Sequence, residues 1–254
     1  MRQAQLLFGL CLAALLGPAQ AIAQPLLGVV IDDLGQNLPR DRQVFDLPAP
    51  VALAIMPDTP HAAELAREAH QRGRTLILHL PMDPAGGPYA WRPELSPMEL
   101  SQRLAAALAA VPYVQGVNNH EGSRMTADRA GMELLMQDLQ QRHLFFLDSR
   151  TSAATVAAAE AQKIGLASLS RDVFLDDQPD EADVARQLQI GIELARKQGT
   201  ALLIGHPKPA TLKVLARELP KLKAAGIELV EPNLLIAERG NRAMAAHGKN
   251  GIYR

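Results

Sequence analysis

Leu26-Leu27-Gly28-Val29-Val30-Ile31-Asp32-Asp33-Leu34-Gly35 is the stretch on which the fold turns. From Leu26 to Ile31 it carries no polar side chain and no alternation, as expected of a strand buried on both faces of a parallel sheet. The run then breaks into two adjacent carboxylates and a glycine. An apolar strand that delivers acids at its C-terminal end is the building unit of α/β folds whose chemistry lies where the strands end.

The same unit recurs down the chain. Further apolar runs span Val51 to Ile55, Thr75 to Leu80, Tyr113 to Val117, Leu144 to Leu147, Leu166 to Leu169, Ala201 to Ile204 and Ile227 to Val230. Amphipathic segments lie between them. Thr59-Pro60 predicts a cap and a first-turn proline for a helix over His61 to His70. Ser96 and Glu99 around Pro97 fit a reciprocal capping box. Met132, Leu135, Met136 and Leu139 share one helical face, as do Val184, Leu188 and Ile192, then Leu212, Leu215 and Leu219. This alternation predicts an α/β fold, a complete or distorted (β/α) barrel, with an open doubly wound sheet as the alternative. No linker divides residues 24–254, which read as one domain. Pro81 to Pro97 is expected as a long loop after the third strand, and Glu238 to Arg254 as a loosely packed tail.

Arg2, the apolar Leu6 to Leu16 and the small-residue triplet Ala21-Ile22-Ala23 predict a secretory signal peptide over residues 1–23. Gly17-Pro18 breaks the apolar stretch before it is long enough to span a membrane. The mature chain then starts at Gln24 and is expected in the periplasm or otherwise outside the cytoplasm, with no stable membrane insertion. Cys11 is the only cysteine, so the mature chain has no disulfide and no thiolate nucleophile. Leu10 before it does not suit lipidation. A net charge of -1 over 254 residues and 4% aromatic residues offer neither a basic track nor a stacking platform for nucleic acid.

Polar residues gather at the strand ends: Asp32-Asp33, His79, Asn118-Asn119-His120, Asp148-Ser149-Arg150 and His206. A lone acid there is ordinarily a helix cap, and Asp33 also fits that description. Convergence of so many is better explained by a site. Asp33, His79 and His120 form the most economical ligand set for a zinc-like divalent ion with an open position. Asp32 is then the base toward water, His206 a general acid, and Arg150 a group that holds Asp32 or a substrate oxygen. Arg124 and Glu121 read equally well as solvated loop residues. His61, His70 and His143 read as structural.

With these residues in view, the chain resembles the divergent polysaccharide deacetylase family of exported bacterial proteins, from Val29 to about Leu235. The resemblance rests on Val30-Ile31-Asp32-Asp33-Leu34-Gly35, Leu78-His79-Leu80-Pro81-Met82, Gly116-Val117-Asn118-Asn119-His120 with Gly122-Ser123, Asp148-Ser149-Arg150-Thr151 and Ile204-Gly205-His206-Pro207. It implies the distorted (β/α) barrel of glycoside hydrolases and deacetylases, a divalent metal and an extracytoplasmic location. In ordinary polysaccharide deacetylases the first Asp of the pair is the base and the second a metal ligand, which Asp32 and Asp33 match. Their two metal histidines share one H-x-x-x-H motif. Asn119-His120 matches its start, but Arg124 stands at the fourth residue on, which leaves His79 as the substitute ligand. His206 matches the late catalytic histidine, and Arg150 loosely matches an arginine near the base. The implied activity is metal-dependent removal of N-acetyl groups from an envelope glycan such as peptidoglycan, with Tyr89 and Trp91 as the sugar platform. The alternative is a non-enzymatic periplasmic factor that uses the cleft to bind glycan or protein.

Overall fold

Strand β1 (Leu26–Leu34) lies at the centre of the sheet because its apolar run can be covered on both faces. In the computed structural model, which describes residues 24–250, it is followed by a short helix α1 (Leu38–Asp41), β2 (Ala52–Ile55), α2 (Ala62–Gln71) and β3 (Leu76–Met82). Next come α3 (Pro97–Ala110), β4 (Gly116–Glu121), α4 (Arg129–Gln141), β5 (Phe145–Asp148), α5 (Ala157–Lys163) and β6 (Ser168–Ser170). The chain ends with β7 (Val173–Phe174), α6 (Glu181–Gln198), β8 (Thr200–Gly205), α7 (Pro209–Glu218), β9 (Glu228–Leu229) and α8 (Pro232–Asn250).

The strands form one 9-stranded sheet in the order β6-β5-β4-β3-β2-β1-β8-β7, with β9 beside β1. Every ladder is parallel. The terminal strands of that order, β6 and β7, are joined only by Arg171 and Asp172. Three Cα steps reach at most ~11 Å, so the sheet has to curl until its two ends nearly meet. Arg171 N–H still donates to Asp148 O on the β5 side and Asp172 N–H to Leu202 O on the β8 side, both at 2.9 Å. No ladder closes the gap among the described residues. The result is the expected distorted (β/α) barrel.

Strand residues alternate between two apolar clusters, as a period of two requires. Val29, Ile31, Leu53, Leu78, Phe146 and Leu203 pack outward with the helices. Val30, Ala52, Ala54, Ile77, Leu147, Leu202 and Ile204 fill the barrel. Leu235 of α8 belongs to the inner cluster and closes the N-terminal end of the barrel. It sits so close over β1 that a Cβ on Gly28 would stand 2.3 Å from its Cδ1. Only a glycine admits that approach.

Three local expectations are corrected, and one strand was not expected at all. The second helix starts at Ala62 with His61 at its N-cap, and Thr59 Oγ1 donates instead to Met56 O at 2.8 Å. The start of the expected loose tail is docked: α8 runs from Pro232 to Asn250, and Arg239 and Arg242 donate to Thr200 Oγ1 at 2.9 Å and the Gln198 carbonyl at 3.0 Å. Strand β7 had no apolar run long enough to announce it. Trp91 is no sugar platform: it bridges to Met82 and is fully buried, which ties down the loop after β3. The capping box of α3 is present, with Ser96 N–H donating to Glu99 Oε2 at 2.8 Å and Glu99 N–H to Ser96 Oγ at 3.3 Å. The expected signal peptide lies outside the described residues, and no described helix is long and apolar enough to cross a membrane.

Candidate metal centre and cleft

The inner parity that buries Val30, Ile77, Gly116, Leu147 and Ile204 continues past the apolar layer to Asp32, His79, Asn118, His120, Ser149 and His206. Strand period alone therefore aims these side chains at the C-terminal mouth of the barrel. Asp33 has the wrong parity. It reaches the same point because the ladder of β1 with β2 slips between Ile31 and Leu34, two residues of β1 passing one of β2. Asp33 takes φ 58 in that bulge. The bulge turns two adjacent acids into the same cleft. Glu121 and Arg150, at two other strand ends, also take positive φ (50 for each). Left-handed backbone is uncommon for residues other than glycine and tends to gather at functional sites, although Tyr113 and His143 adopt it away from this one.

Asp33 Oδ1 stands 3.1 Å from His79 Nε2 and 3.0 Å from His120 Nδ1, and those nitrogens are 3.1 Å apart. Asn118 sets the chemistry of this triangle. Its Nδ2 donates to Asp32 Oδ1 at 2.8 Å and to Ser149 Oγ at 3.3 Å. Its Oδ1 consequently faces His79 Nδ1, also at 2.8 Å, which must carry the proton. In the neutral imidazole His79 Nε2 then turns its lone pair toward Asp33. Burial disfavours the imidazolium, yet Asp32 and Asp33 raise the His79 pKa, so a metal ion would compete with a proton for that nitrogen. Neither histidine approaches Asp33 Oδ1 in hydrogen-bonding geometry, so that oxygen is buried without a donor although the side chain as a whole is 42% exposed. A buried acceptor without a donor is costly. A cation between the three atoms satisfies them together, and their spacing is close to the roughly 3.3–3.4 Å between ligands of a tetrahedral zinc site. The donor set, one carboxylate and two imidazoles, fits a divalent metal. It is the one such cluster among the described residues.

The charges around the triangle are tuned in opposite directions. Burial pushes the Asp32 carboxyl above its ordinary value, against the nearby His79 and His206 and the Asn118 hydrogen bond. Burial acts the same way on Asp33, but His120 and His79 beside it hold its carboxyl far below the usual range. His206 sits opposite, its Nε2 3.8 Å from Asp33 Oδ2. Its Nδ1 is 2.8 Å from Asp176 Oδ1, while Asp176 Oδ2 accepts from His206 N–H and Thr211 Oγ1, both at 2.7 Å. Burial disfavours the imidazolium, yet Asp176, together with Asp32 and Asp33 across the cleft, raises the His206 pKa.

The cavity over these groups measures about 370 Å³ and is also lined by Arg150, Arg171 and Phe174. The structure thus gathers Asp32, Asp33, His79, His120 and His206 around one point. Arg150 reaches the cavity but does not bond Asp32; Asn118 has that place. Arg124, at the position of the second motif histidine, turns away to pair with Asp83 at 2.9 Å and with Glu94. Three further residues of the site carry no clear signal in the sequence. Asn118 lies between Val117 and Asn119-His120, where nothing local marks a role for it. Asp176 and Arg171 flank the two-residue β7, and the acid after Phe174-Leu175 was the signal that could have revealed it.

A sequence profile described as divergent polysaccharide deacetylase matches residues 29–236. The uncharacterized protein YibQ of Escherichia coli K12 is 40% identical over 233 residues, 90% of this chain and 73% of its own length. The crystal structure of the uncharacterized protein ATU2773 of Agrobacterium tumefaciens superposes with a TM-score of 0.81 at 24% identity, over 86% of this chain and 92% of that one. The catalytic domain of a peptidoglycan N-acetylglucosamine deacetylase from Eubacterium rectale shares the fold with a TM-score of 0.52 at 14% identity, over 85% and 90% of the two chains.

Proposed function

Because this chain belongs to the divergent polysaccharide deacetylase family, we propose that it is an exported, metal-dependent hydrolase that removes N-acetyl groups from envelope polysaccharide. The observation that carries this reading is the donorless Asp33 Oδ1 facing two imidazole nitrogens, with a second, buried acid one residue away. Asp33, His79 and His120 would hold the ion, for which zinc suits the donor set. When bound, it supplies Lewis acidity that activates water and polarises an acyl carbonyl.

The rest of the chemistry falls to the protein's own groups. Asp32 accepts the proton of the attacking water, and its raised pKa brings it nearer the range in which a base works at neutral pH. Asn118 occupies Asp32 Oδ1 and leaves Oδ2 for that proton. His206 Nε2 gives a proton to the departing amine nitrogen as the C–N bond breaks. Asp176 fixes the proton on Nδ1 and steadies the imidazolium. Arg150 meets substrate oxygens rather than the base. Phe174, edge-on to His206 with centroids 5.3 Å apart, offers the cleft an aromatic face in place of Trp91.

Acetate release from a panel of N-acetylated envelope glycans, peptidoglycan included, tests the reading on zinc-supplied protein. Glycan binding without acetate release on any of them would favour a non-enzymatic glycan-binding role. Two narrower results are expected. Asp176→Asn should lower turnover by at least about tenfold, within the share a positioned acid contributes. It removes the hydrogen-bonded carboxylate among those that raise the His206 pKa, so His206 loses its proton at lower pH and the basic limb of the kcat profile moves down. An unmoved limb would remove His206 as the acid. N-terminal sequencing of the native protein should find a start near Gln24 outside the cytoplasm, followed by one barrel domain. Recovery of an intact Met1 in the membrane fraction would contradict export by cleavage.

A further inference from the structure

Two cations line one wall of the cleft; neither moves a proton in the chemistry assigned above, where Arg150 only meets substrate oxygens and Arg171 has no role. Arg150 and Arg171 both line the cavity that holds Asp32, Asp33 and His206, and among the described residues neither forms an ion pair. Arg171 Nε and Nη2 donate to the carbonyl oxygens of Ser149 and Arg150 at 2.6 and 2.9 Å. Its guanidinium also lies over the Phe174 ring, 4.9 Å from the centroid. These contacts fix its plane without neutralising it. The backbone of Arg150 is equally constrained. Its N–H donates to Asp148 Oδ1 at 2.8 Å, its carbonyl accepts from Arg171, and its φ of 50 is one that a residue with a Cβ adopts at some cost.

The carboxylates nearby are already committed. Asp32 accepts from Asn118, Asp148 from Arg150 N–H and Thr155, and Asp172 from Leu202 N–H and Arg239. Glu121 lines the same cavity without pairing to either guanidinium. Burial and the neighbouring Arg150 both disfavour the charged form of Arg171. Two like charges held side by side repel, and an anion set against them removes that cost.

We propose that Arg150 and Arg171 form a subsite for a carboxylate carried by the sugar, so that the substrate class is an acidic N-acylated glycan rather than a neutral one. This rests on the reading of the cleft as a glycan site. Planar guanidinium forks match a carboxylate in geometry and charge. A metal ion in the triangle would offset the charges of Asp32 and Asp33, leaving Arg150 and Arg171 to outnumber Glu121 along the cleft wall. The carboxylate can come from a lactyl ether, as in muramic acid, or from a uronic acid.

Ligand-observed NMR titration of the zinc-supplied protein tests the proposal and reports whether each probe stays intact. The probes are an N-acetylglucosamine–N-acetylmuramic acid disaccharide, an N-acetylglucosamine–glucuronic acid oligosaccharide and neutral chitobiose. At least one acidic probe should bind about ten- to hundredfold tighter than chitobiose, the range of a charge-assisted contact. The tighter of the two identifies the carboxylate source. Arg150→Gln and Arg171→Gln should each bring the acidic-to-neutral ratio toward one, with Arg150→Lys restoring part of it. Should Arg171→Gln fail to fold, Arg150→Gln, whose side chain is exposed, decides alone. Equal binding of acidic and neutral probes, or a preference that survives Arg150→Gln, would overturn the subsite while leaving a glycan cleft. Failure of all three probes to bind would overturn the cleft reading and the subsite together.

Discussion

Asp32→Asn lowers acetate release by roughly 10²–10⁴-fold, the scale of a positioned general base, while the metal content stays near that of the wild type. The two halves of this expectation come from different parts of the site. Asp32 is buried and lies outside the ligand triangle, its Oδ2 3.8 Å from His79 Nε2. An asparagine has nearly the same volume and can still accept the Asn118 hydrogen bond through its own oxygen. Folding and the ligand set are therefore preserved, and only the proton acceptor is lost. Acetate release and zinc content should be measured side by side on a glycan that the wild type processes. Equal rates in the two proteins would reject Asp32 as the base. A fall in metal content equal to the fall in rate would make it a ligand instead.

The second large effect concerns the ion itself. Zinc should bind in about one equivalent and stabilise the fold by mass action. At a free concentration 1,000 times Kd the gain is about 4.1 kcal/mol, which for a protein of this size raises Tm by roughly 8–16 °C. His79→Ala and His120→Ala each remove one of the three ligand atoms and should abolish most of that rise, together with turnover. Asn118→Leu leaves all three ligands but frees His79 Nδ1 from its acceptor. It should weaken zinc by about 10- to 100-fold, as loss of an outer-shell partner does. Differential scanning fluorimetry with and without zinc checks all of these without reference to catalysis. A zinc-dependent rise of equal size in wild type and His79→Ala would place the ion elsewhere.

Much of the barrel could be read in advance because its strands are short apolar runs, and each local run carries its own information. Leu26 to Ile31 and Ala201 to Ile204 announce themselves. Ser168–Ser170 is legible only through the apolar run Leu166 to Leu169 that leads into it, and Val173–Phe174 is not legible at all. Two residues between polar neighbours carry no period. Their strand character comes from Leu203 and Ile204 alongside them. Asp176 went unread for the same reason, since nothing marked it as following a strand. Trp91 misled in the opposite way. An aromatic in a Pro/Gly-rich loop looks exposed, but its bridge to Met82 folds it into the core.

By itself the sequence determined the α/β alternation, for which a barrel is the first reading and an open doubly wound sheet the alternative, and the strand ends at which Asp32, His79, His120 and His206 collect. Strand period is a property of the local chain, and it aims those side chains inward wherever the strand finally lies. Tertiary structure alone decided which of them touch. The slip of β1 against β2 that brings Asp33 in beside Asp32 is a relation between two strands. Asn118 became the link between Asp32 and His79 only once β4 lay beside β3, which put His79 opposite it in register. His206 acquired its carboxylate when β7 paired with β8 and brought Asp176 within 2.8 Å. A sequence lists the groups a site can use; the distances that decide protonation and ligation exist only between residues far apart along the chain.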